Sequence, residues 1–275
     1  MNNSEILYLY DAKLTNPNGD PDEENRPRMD YERDINLVSD LRIKRYIRDY
    51  LLDKGYELFV SKVDDKAVTA EGRIKELGSS DVDTILDKLI DVRLFGATIP
   101  VKNDNKNFIG PVQFNWGYSL NKVELQGAIG KDYRVKYSFI AFSGVISGKR
   151  AEHTKLKEED VALLDEAMRY AIPELATRSK IGQYPRLYLR VEYNDDQTIL
   201  GDLRDYLKFS SEDESVRDIK EVTLDITELV KFLNKNSDKI SKLHYFADEK
   251  LKLVLDGNKV GFKEAFDGFS LNEVK

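Results

Sequence analysis

The chain contains no cysteine. Disulfides, thiolate-ligated metal sites and cysteine nucleophiles are thereby excluded, and a reducing compartment is permitted. Histidine is nearly as scarce. His153 and His244 stand far apart, too few for a histidine-rich metal site or a Ser-His-Asp triad, and both read as surface residues. No basic stretch followed by an apolar run opens the chain, and no segment approaches the roughly 18 uninterrupted apolar residues of a membrane span. The chain therefore reads as soluble and cytoplasmic, with no membrane partner. A phosphate-binding glycine loop, a dinucleotide fingerprint and triad spacing are also missing, which counts against an enzyme acting on small molecules. No cofactor and no metal are expected, and no repeat or low-complexity tract interrupts the sequence.

What is present is enough for a large core: 275 residues, 41% of them hydrophobic, fit one domain with sizeable insertions. The net charge of −7 argues against a uniformly basic nucleic-acid coat. The charge is unevenly spread, however. Residues 131 to 190 carry 12 Lys/Arg against 8 Asp/Glu, and residues 41 to 48 carry four basic residues and no acid. The excess acid lies from Asp20 to Asp34 and in the C-terminal third. One basic groove in an acidic exterior would give this distribution, because phosphate responds to the local field.

Residues 5 to 13, EILYLYDAK, read as an opening central strand, followed by a long loop, NPNGDPDEENRPRMD, rich in proline and turn-forming Asn/Asp. Asn36 to Lys54 predicts a helix capped by Asn36 or Ser39 and ended by Gly55. Its apolar side is Ile43, Tyr46, Ile47, Tyr50 and Leu51, and its other side Arg42, Lys44, Arg45 and Arg48. Residues 56 to 63 read as a strand, 64 to 80 as a mobile insertion and 81 to 89 as a short helix. Strands at 110 to 125 and 133 to 146 form a hairpin across GAIGKD. A helix follows at 157 to 170, then a strand at 186 to 193. The tail adds a strand at 219 to 226, a helix at 227 to 246 and a strand at 250 to 255. This order predicts an α+β fold with a ferredoxin-like or RRM-like sheet carrying insertions. A doubly wound sheet fits less well, since the short central connection makes an antiparallel pair.

Three constellations have chemical content. Arg42, Arg45 and Arg48, with Lys44, line one edge of the first helix and suit phosphate binding, although four charges on a helix are more commonly a solvated face. Arg178, Lys180 and Arg186 surround Gly182, where backbone can approach a sugar-phosphate chain closely, against the plain alternative of a connecting loop. Asp20, Asp22, Glu23, Glu24 and Asp30 are acids that could hold a divalent cation, but the spacing matches no calcium loop, Arg26 and Arg28 sit among them, and turn formation explains the loop. The stripe Phe114, Trp116, Tyr118 could stack bases, and is more often core.

In order from residue 11 to residue 193, the blocks DAKLTNPNGDPDEENRPRMD, NLVSDLRIKRYIRDYL, DVRLFGATI, GPVQFNWGYSLNKV, GAIGKDYRVKYSFIAFSGVIS and TRSKIGQYPRLYLRVEY resemble a known family. It is the backbone subunit of the type I-B CRISPR interference complex Cascade, in the repeat-associated mysterious protein (RAMP) superfamily. NPNGDP followed by KRYIR on the next helix is the most specific part, shared with type I-C relatives, and the resemblance fades beyond residue 195. It implies one domain, residues 1–275: an RRM-like palm with finger-like insertions at about 61–108, a thumb-like hairpin at about 123–136 and a C-terminal extension at about 196–275. It further implies subunits stacked along a guide crRNA, pairing of that guide with a target DNA strand, and contact with further copies and with cap, large and crRNA-processing subunits. By position, Arg42, Lys44, Arg45 and Arg48 would contact guide phosphates, assisted by Asn16, Asn18, Arg28, Gln113, Arg178 and Lys180. Gln126, Ile129 and Lys131 would stand on the thumb that displaces a base. A protein holding any guide must bind backbone and not base edges, and these residue types suit that task. Related type III subunits cleave RNA with an aspartate after the first strand. Asp20 and Asp22 make a metal-dependent ribonuclease the alternative to a non-catalytic scaffold.

Overall fold

The computed structural model describes residues 1–60, 62–63, 66–101, 104–128, 132–175 and 177–275. Its main sheet is built from β1 (Ser4–Thr15), β2 (Ile35–Val38), β3 (Val112–Phe114), β4 (Gly117–Ser119), β5 (Leu125–Ala128), β6 (Asp132–Ile146), β7 (Gln183–Tyr193), β8 (Ile240–Ala247) and β9 (Leu271–Glu273). β1 lies between β6 and β7, antiparallel to both, with Tyr8 opposite Phe142 on one side and Tyr188 on the other. Beyond β6 come β3, β4 and β5 in succession along it, all antiparallel, and β2 beyond β4. Beyond β7 come β8, antiparallel, and β9, parallel to β8. The central hairpin read from the sequence is thus present, interrupted into three short strands on one arm.

β1 is buried from both sides, which explains its nearly continuous apolar sequence. Ile6, Tyr8, Tyr10 and Ala12 pack beneath α1 (Asp40–Asp53) and a later helix, Glu158–Glu174, while Leu7 and Leu9 face the opposite layer. That second layer is supplied by the C-terminal residues Leu203, Val216, Ile219, Val222, Leu224, Leu229 and Leu233. These C-terminal residues therefore pack over the sheet face that carries Leu7 and Leu9. The fold is α+β, with one α layer and one mixed layer around the sheet.

Between α1 and β3 the chain forms α2 (Ala70–Leu77), α3 (Val82–Lys88), α4 (Ile90–Phe95) and the hairpin Gly96–Val101 with Asp104–Ile109. Ile74, Ile85, Leu86, Leu89, Val92 and Ile99 make a small separate core there. Several local expectations are corrected. Residues 56–60 form no strand: Phe59 and Val60 donate their backbone N–H groups to the Asp91 carboxylate at 2.7 and 3.1 Å instead of to a neighbouring strand. Residues 70–77, read as part of a mobile insertion over 64 to 80, are helical behind a Thr69 cap. The helix expected at 227–246 stops at Lys235, and Ile240–Ala247 becomes β8 because β7 offers an open edge. Asn36 lies in β2, so Ser39 is the cap of α1.

Candidate nucleic-acid interface

The site begins where β1 ends. Asn16 donates its backbone N–H to Ser179 O at 2.9 Å, Lys13 donates to Gly182 O at 2.9 Å, and Thr15 Oγ1 donates to Ser179 O at 2.6 Å. The segment Arg178–Gly182 is thereby laid against the start of the proline-rich loop. Gly182 makes this possible: its φ is +100°, and a Cβ there would stand 2.5 Å from Lys13 O. Asn18 joins the same loop to α1, accepting hydrogen bonds on Oδ1 from Ser39 N–H at 2.8 Å and Ser39 Oγ at 2.9 Å. Ser39 in turn accepts from Arg42 N–H at 3.3 Å.

The four cations of α1 do not form one strip. Successive residues turn by about 100°, so positions 42, 45 and 48 spread over about 120° of the helix surface, and their side chains take separate partners. Lys44 is buried on one flank, bonded to Asp40 Oδ2 and Gln113 Oε1, each at 3.1 Å. Arg48 follows it, pairing with the buried Asp91 at 3.1 Å with its guanidinium 4.9 Å from the Phe95 ring centroid. Gln113 donates to Gly110 O at 3.0 Å, so it fixes Lys44 and a turn together. Arg45 is solvent-facing and paired with Asp49 at 2.7 Å.

Arg42 stands on the other flank and is different. Its guanidinium lies 4.2 Å from the Tyr46 ring centroid, its Nε is buried without a hydrogen-bond partner, and among the described residues no carboxylate pairs with it. Beside it Lys180 donates Nζ to the main-chain carbonyl of Asn16, with Pro17 O at 3.5 Å. Burial pulls the Lys180 amine down to about 7, and the positive charge of Arg42 pushes the same way. The Lys180 amine lies near enough to the Arg42 guanidinium to feel its charge, and among the described residues no carboxylate is paired with either. Orphaned polar atoms gather in the same loop: Asn16 Oδ1 and Arg28 Nε are also buried without partners. Arg28 otherwise bonds Asp20 at 2.7 Å and lies 5.9 Å from the Trp116 ring, while Asn16 Nδ2 donates to Asn25 O at 2.7 Å.

Next to this cluster rises the hairpin β5–β6, in which Leu125 opposes Val135 and Ala128 opposes Asp132. Gln126 is exposed on it. Ile129 and Lys131 lie outside the described residues. Two residues missed by the sequence reading tie it to the loop after β1 and to the Arg178 segment. Arg134 donates to Leu14 O at 3.0 Å and Arg178 O at 3.3 Å while pairing with Asp132 at 2.9 Å, and Tyr133 receives Arg26 over its ring at 4.4 Å. Arg178, 84% exposed, shares Asp132 at 3.1 Å. The hydrogen bonds from Arg134, followed by those two cations' charges, hold the Asp132 carboxyl below its ordinary range. Only the basic bias of this stretch hinted at Arg134. Leu14, at φ +51° and 54% exposed, sits at the edge of the cluster, a strained conformation for a leucine.

The acidic loop offers no comparable assembly. Asp20 is engaged by Arg28 and by Asp22 N–H, and no group of three His, Cys, Asp or Glu side chains able to hold a metal gathers among the described residues. The aromatic stripe is split: Phe114 is core, Trp116 is 43% exposed, and Tyr118 lies under Arg204 at 4.5 Å. Arg186 is an interior residue joined to Asp11 at 2.9 Å and to Asp248. His244, expected at the surface, is largely enclosed and bonded to Glu192 at 2.7 Å, whereas His153 is exposed.

A family model described as CRISPR-associated protein Cas7 matches residues 2–127 and 124–227. A CRISPR-associated protein Cas7 of Haloferax volcanii is 35% identical over 319 aligned positions, covering 98% of this chain and 94% of that protein. Among solved structures, a chain from a CRISPR RNA-guided surveillance complex in a pre-nicking state aligns with TM-score 0.51 at 10% identity, covering 92% of this chain and 96% of that one. A second, titled CRISPR RNA-guided surveillance complex, aligns with TM-score 0.51 at 12% identity, covering 90% and 92%. At these identities the two structures speak for shared fold alone.

Proposed function

The chain belongs to the CRISPR-associated protein Cas7 family, and on that premise we propose that it is a backbone subunit of a type I-B Cascade surveillance complex, polymerising along guide crRNA and presenting it to a target DNA strand. The chain order β1, α1, β3–β5, β6, Glu158–Glu174, β7, with sheet order β7-β1-β6-(β3–β5) and all neighbours antiparallel, supports reading the core as an RRM-like palm. Residues 61–108, whose described part has its own small core, act as fingers, and the β5–β6 hairpin, which carries Gln126, acts as the thumb. The extension from about residue 196 buttresses the palm. No described helix is long and apolar enough to cross a membrane, which fits a cytoplasmic assembly with cap, large and crRNA-processing subunits.

The observation that carries the reading is the Arg42–Lys180 pair. Basic groups brought into one neighbourhood, with no carboxylate paired to either among the described residues, are a liability in an isolated protein and an asset once a phosphate is bound beside them. Asn16, Asn18 and Arg28 shape the loop around that phosphate, and Arg178 and Arg45 supply exposed charge along the strand's path. Lys44, Arg48 and Gln113 hold α1 and the fingers in place for it. Contacts of this kind read no sequence, which is what a carrier of arbitrary guides requires.

Measuring the 260/280 absorbance ratio of the protein purified with its complex, and sequencing any nucleic acid it carries, tests the reading. Retained crRNA is expected, and protein free of nucleic acid under low salt would refute it. A scaffold role also requires that assembled complex with matched RNA and Mg²⁺ give no periodic cleavage. Cleavage abolished by Asp20→Ala would establish the ribonuclease instead.

A further inference from the structure

Trp116, the sole tryptophan of the chain, stands 43% exposed in the turn between β3 and β4, although Phe114 and Gly117 on either side are buried. The backbone that carries it is fixed. Asn115 donates its N–H to Ser143 O at 2.9 Å and accepts the Trp116 N–H on Oδ1 at 2.8 Å, and the buried Arg204 donates to Trp116 O at 2.9 Å. Gly117 opposes Val38 in the antiparallel pair of β4 with β2. Trp116 is therefore level with Ser39, the cap of α1, which donates to Asn18 in the loop after β1. The Arg28 guanidinium of that loop lies 5.9 Å from the Trp116 ring centroid, whereas Arg26, Arg42 and Arg204 lie at 4.4, 4.2 and 4.5 Å from the rings of Tyr133, Tyr46 and Tyr118. The wider spacing leaves ring surface open beside the cation. In the same loop Arg28 Nε is buried without a hydrogen-bond partner, as is Oδ1 of Asn16, a residue only 3% exposed.

The surroundings decide what such a ring would take. A docked protein surface calls for a wider apolar patch, and the residues placed around Trp116 by register and distance, Asn18, Arg28, Ser39 and Asn115, are polar or charged. A nucleobase needs only one open π face, and a cation at the rim suits the negatively charged strand to which the base is attached. Resting on the guide-binding reading of the loop after β1, we propose that Trp116 is a stacking platform for one unpaired base of the bound strand, with the Arg28 guanidinium at its rim. Every base offers a π face, so the contact holds the strand without selecting its sequence. It also differs from the phosphate contacts in kind: stacking releases no counterions, so removing it lowers affinity while leaving the salt slope as it was.

Because the chain has one tryptophan, indole emission excited beyond the tyrosine absorption reports on this ring alone. Full-length protein is titrated with a short single-stranded oligouridylate, reading emission and anisotropy together, and again with an abasic phosphodiester of equal length. Quenching that saturates in step with anisotropy is expected for the oligouridylate, and binding without quenching for the abasic strand. Trp116→Ala is expected to weaken oligouridylate binding by about fivefold to more than a hundredfold, the range for one lost stacked base, at an unchanged salt slope. Trp116→Phe should recover most of that loss, and both variants should keep the wild-type melt. Binding that depends on Arg42 but leaves emission unchanged and is indifferent to Trp116→Ala overturns this inference alone. So does equal quenching by the abasic strand, or a change in emission produced by raising the protein concentration without nucleic acid, which would give the ring to a second copy. Absence of binding, or binding indifferent to Arg42→Gln, overturns the underlying site instead.

Discussion

Arg42→Gln removes one of two adjacent cations and little else, so its consequences can be worked from the surroundings. The guanidinium touches the Tyr46 ring, pairs with no carboxylate among the described residues and has a buried Nε without a partner. Losing the ring contact costs about 0.5–1 kcal/mol. Relief of its repulsion on Lys180 offsets part of that, so folding stability is expected to move by less than about 1 kcal/mol. Binding behaves otherwise. A charge-assisted hydrogen bond to phosphate is worth roughly 1.5–3 kcal/mol, which is about ten- to more than a hundredfold in affinity. The slope of log affinity against log salt should also become shallower by about 0.7 for one single-stranded phosphate. Fluorescence anisotropy with a labelled oligouridylate over a salt series measures both, and a thermal melt checks the fold. Arg45→Gln, three residues along the same helix, is the internal comparison. Its side chain is solvent-facing and paired with Asp49, so less than about a threefold loss is expected. Equal losses for the two variants, or an unchanged affinity and slope for Arg42→Gln, would refute the assignment of the pair.

Gly182→Ala forces a Cβ to 2.5 Å from Lys13 O at φ +100°. A loss of about 2 kcal/mol or more in urea unfolding is expected, with weakened oligouridylate binding because the loop carrying Lys180 is displaced. Asn18→Ala leaves Ser39 N–H and Oγ without their acceptor, and should lower stability by about 1–2 kcal/mol on the same assay while leaving the far side of the sheet intact. Asp165→Ala strands the buried Arg190, which donates to it at 2.6 and 2.8 Å, and removes the acceptor of Tyr188. A cost of about 3–5 kcal/mol is expected, enough to deplete soluble protein at 37 °C.

The elements legible in the sequence are those whose signals are local. α1 announces itself by Ser39, the unbroken run to Asp53 and the positive-φ Gly55 beyond it. β1 and the central hairpin follow from apolar continuity and short connection. The Thr69 cap before residues 70–77 is a local signal that went unread, whereas two other misreadings share one cause, a partner remote in sequence. Phe59 and Val60 look like strand residues, but their N–H groups meet Asp91 some thirty positions later. Residues 240–247 are ambiguous between helix and strand until the open edge of β7 selects the strand. The site obeyed the same rule. Which residues are basic was plain, and the helical turn angle spreads positions 42, 45 and 48 over about 120° of surface, which leaves open how many of them face one ligand. That Lys44 and Arg48 are committed to Gln113 and Asp91, whereas Arg42 meets Lys180 across more than a hundred residues, is a property of the packed chain.

The most direct test is photocrosslinking of the assembled complex carrying crRNA with a photoreactive base analogue, followed by mass spectrometry of the attached peptides. Crosslinks are expected on the loop after β1, the first turns of α1, the Arg178–Gly182 segment and the β5–β6 hairpin. Crosslinks confined to residues 196–275, or to the α2–α3 surface with none beside Arg42 and Lys180, would contradict a guide strand held beside those two cations.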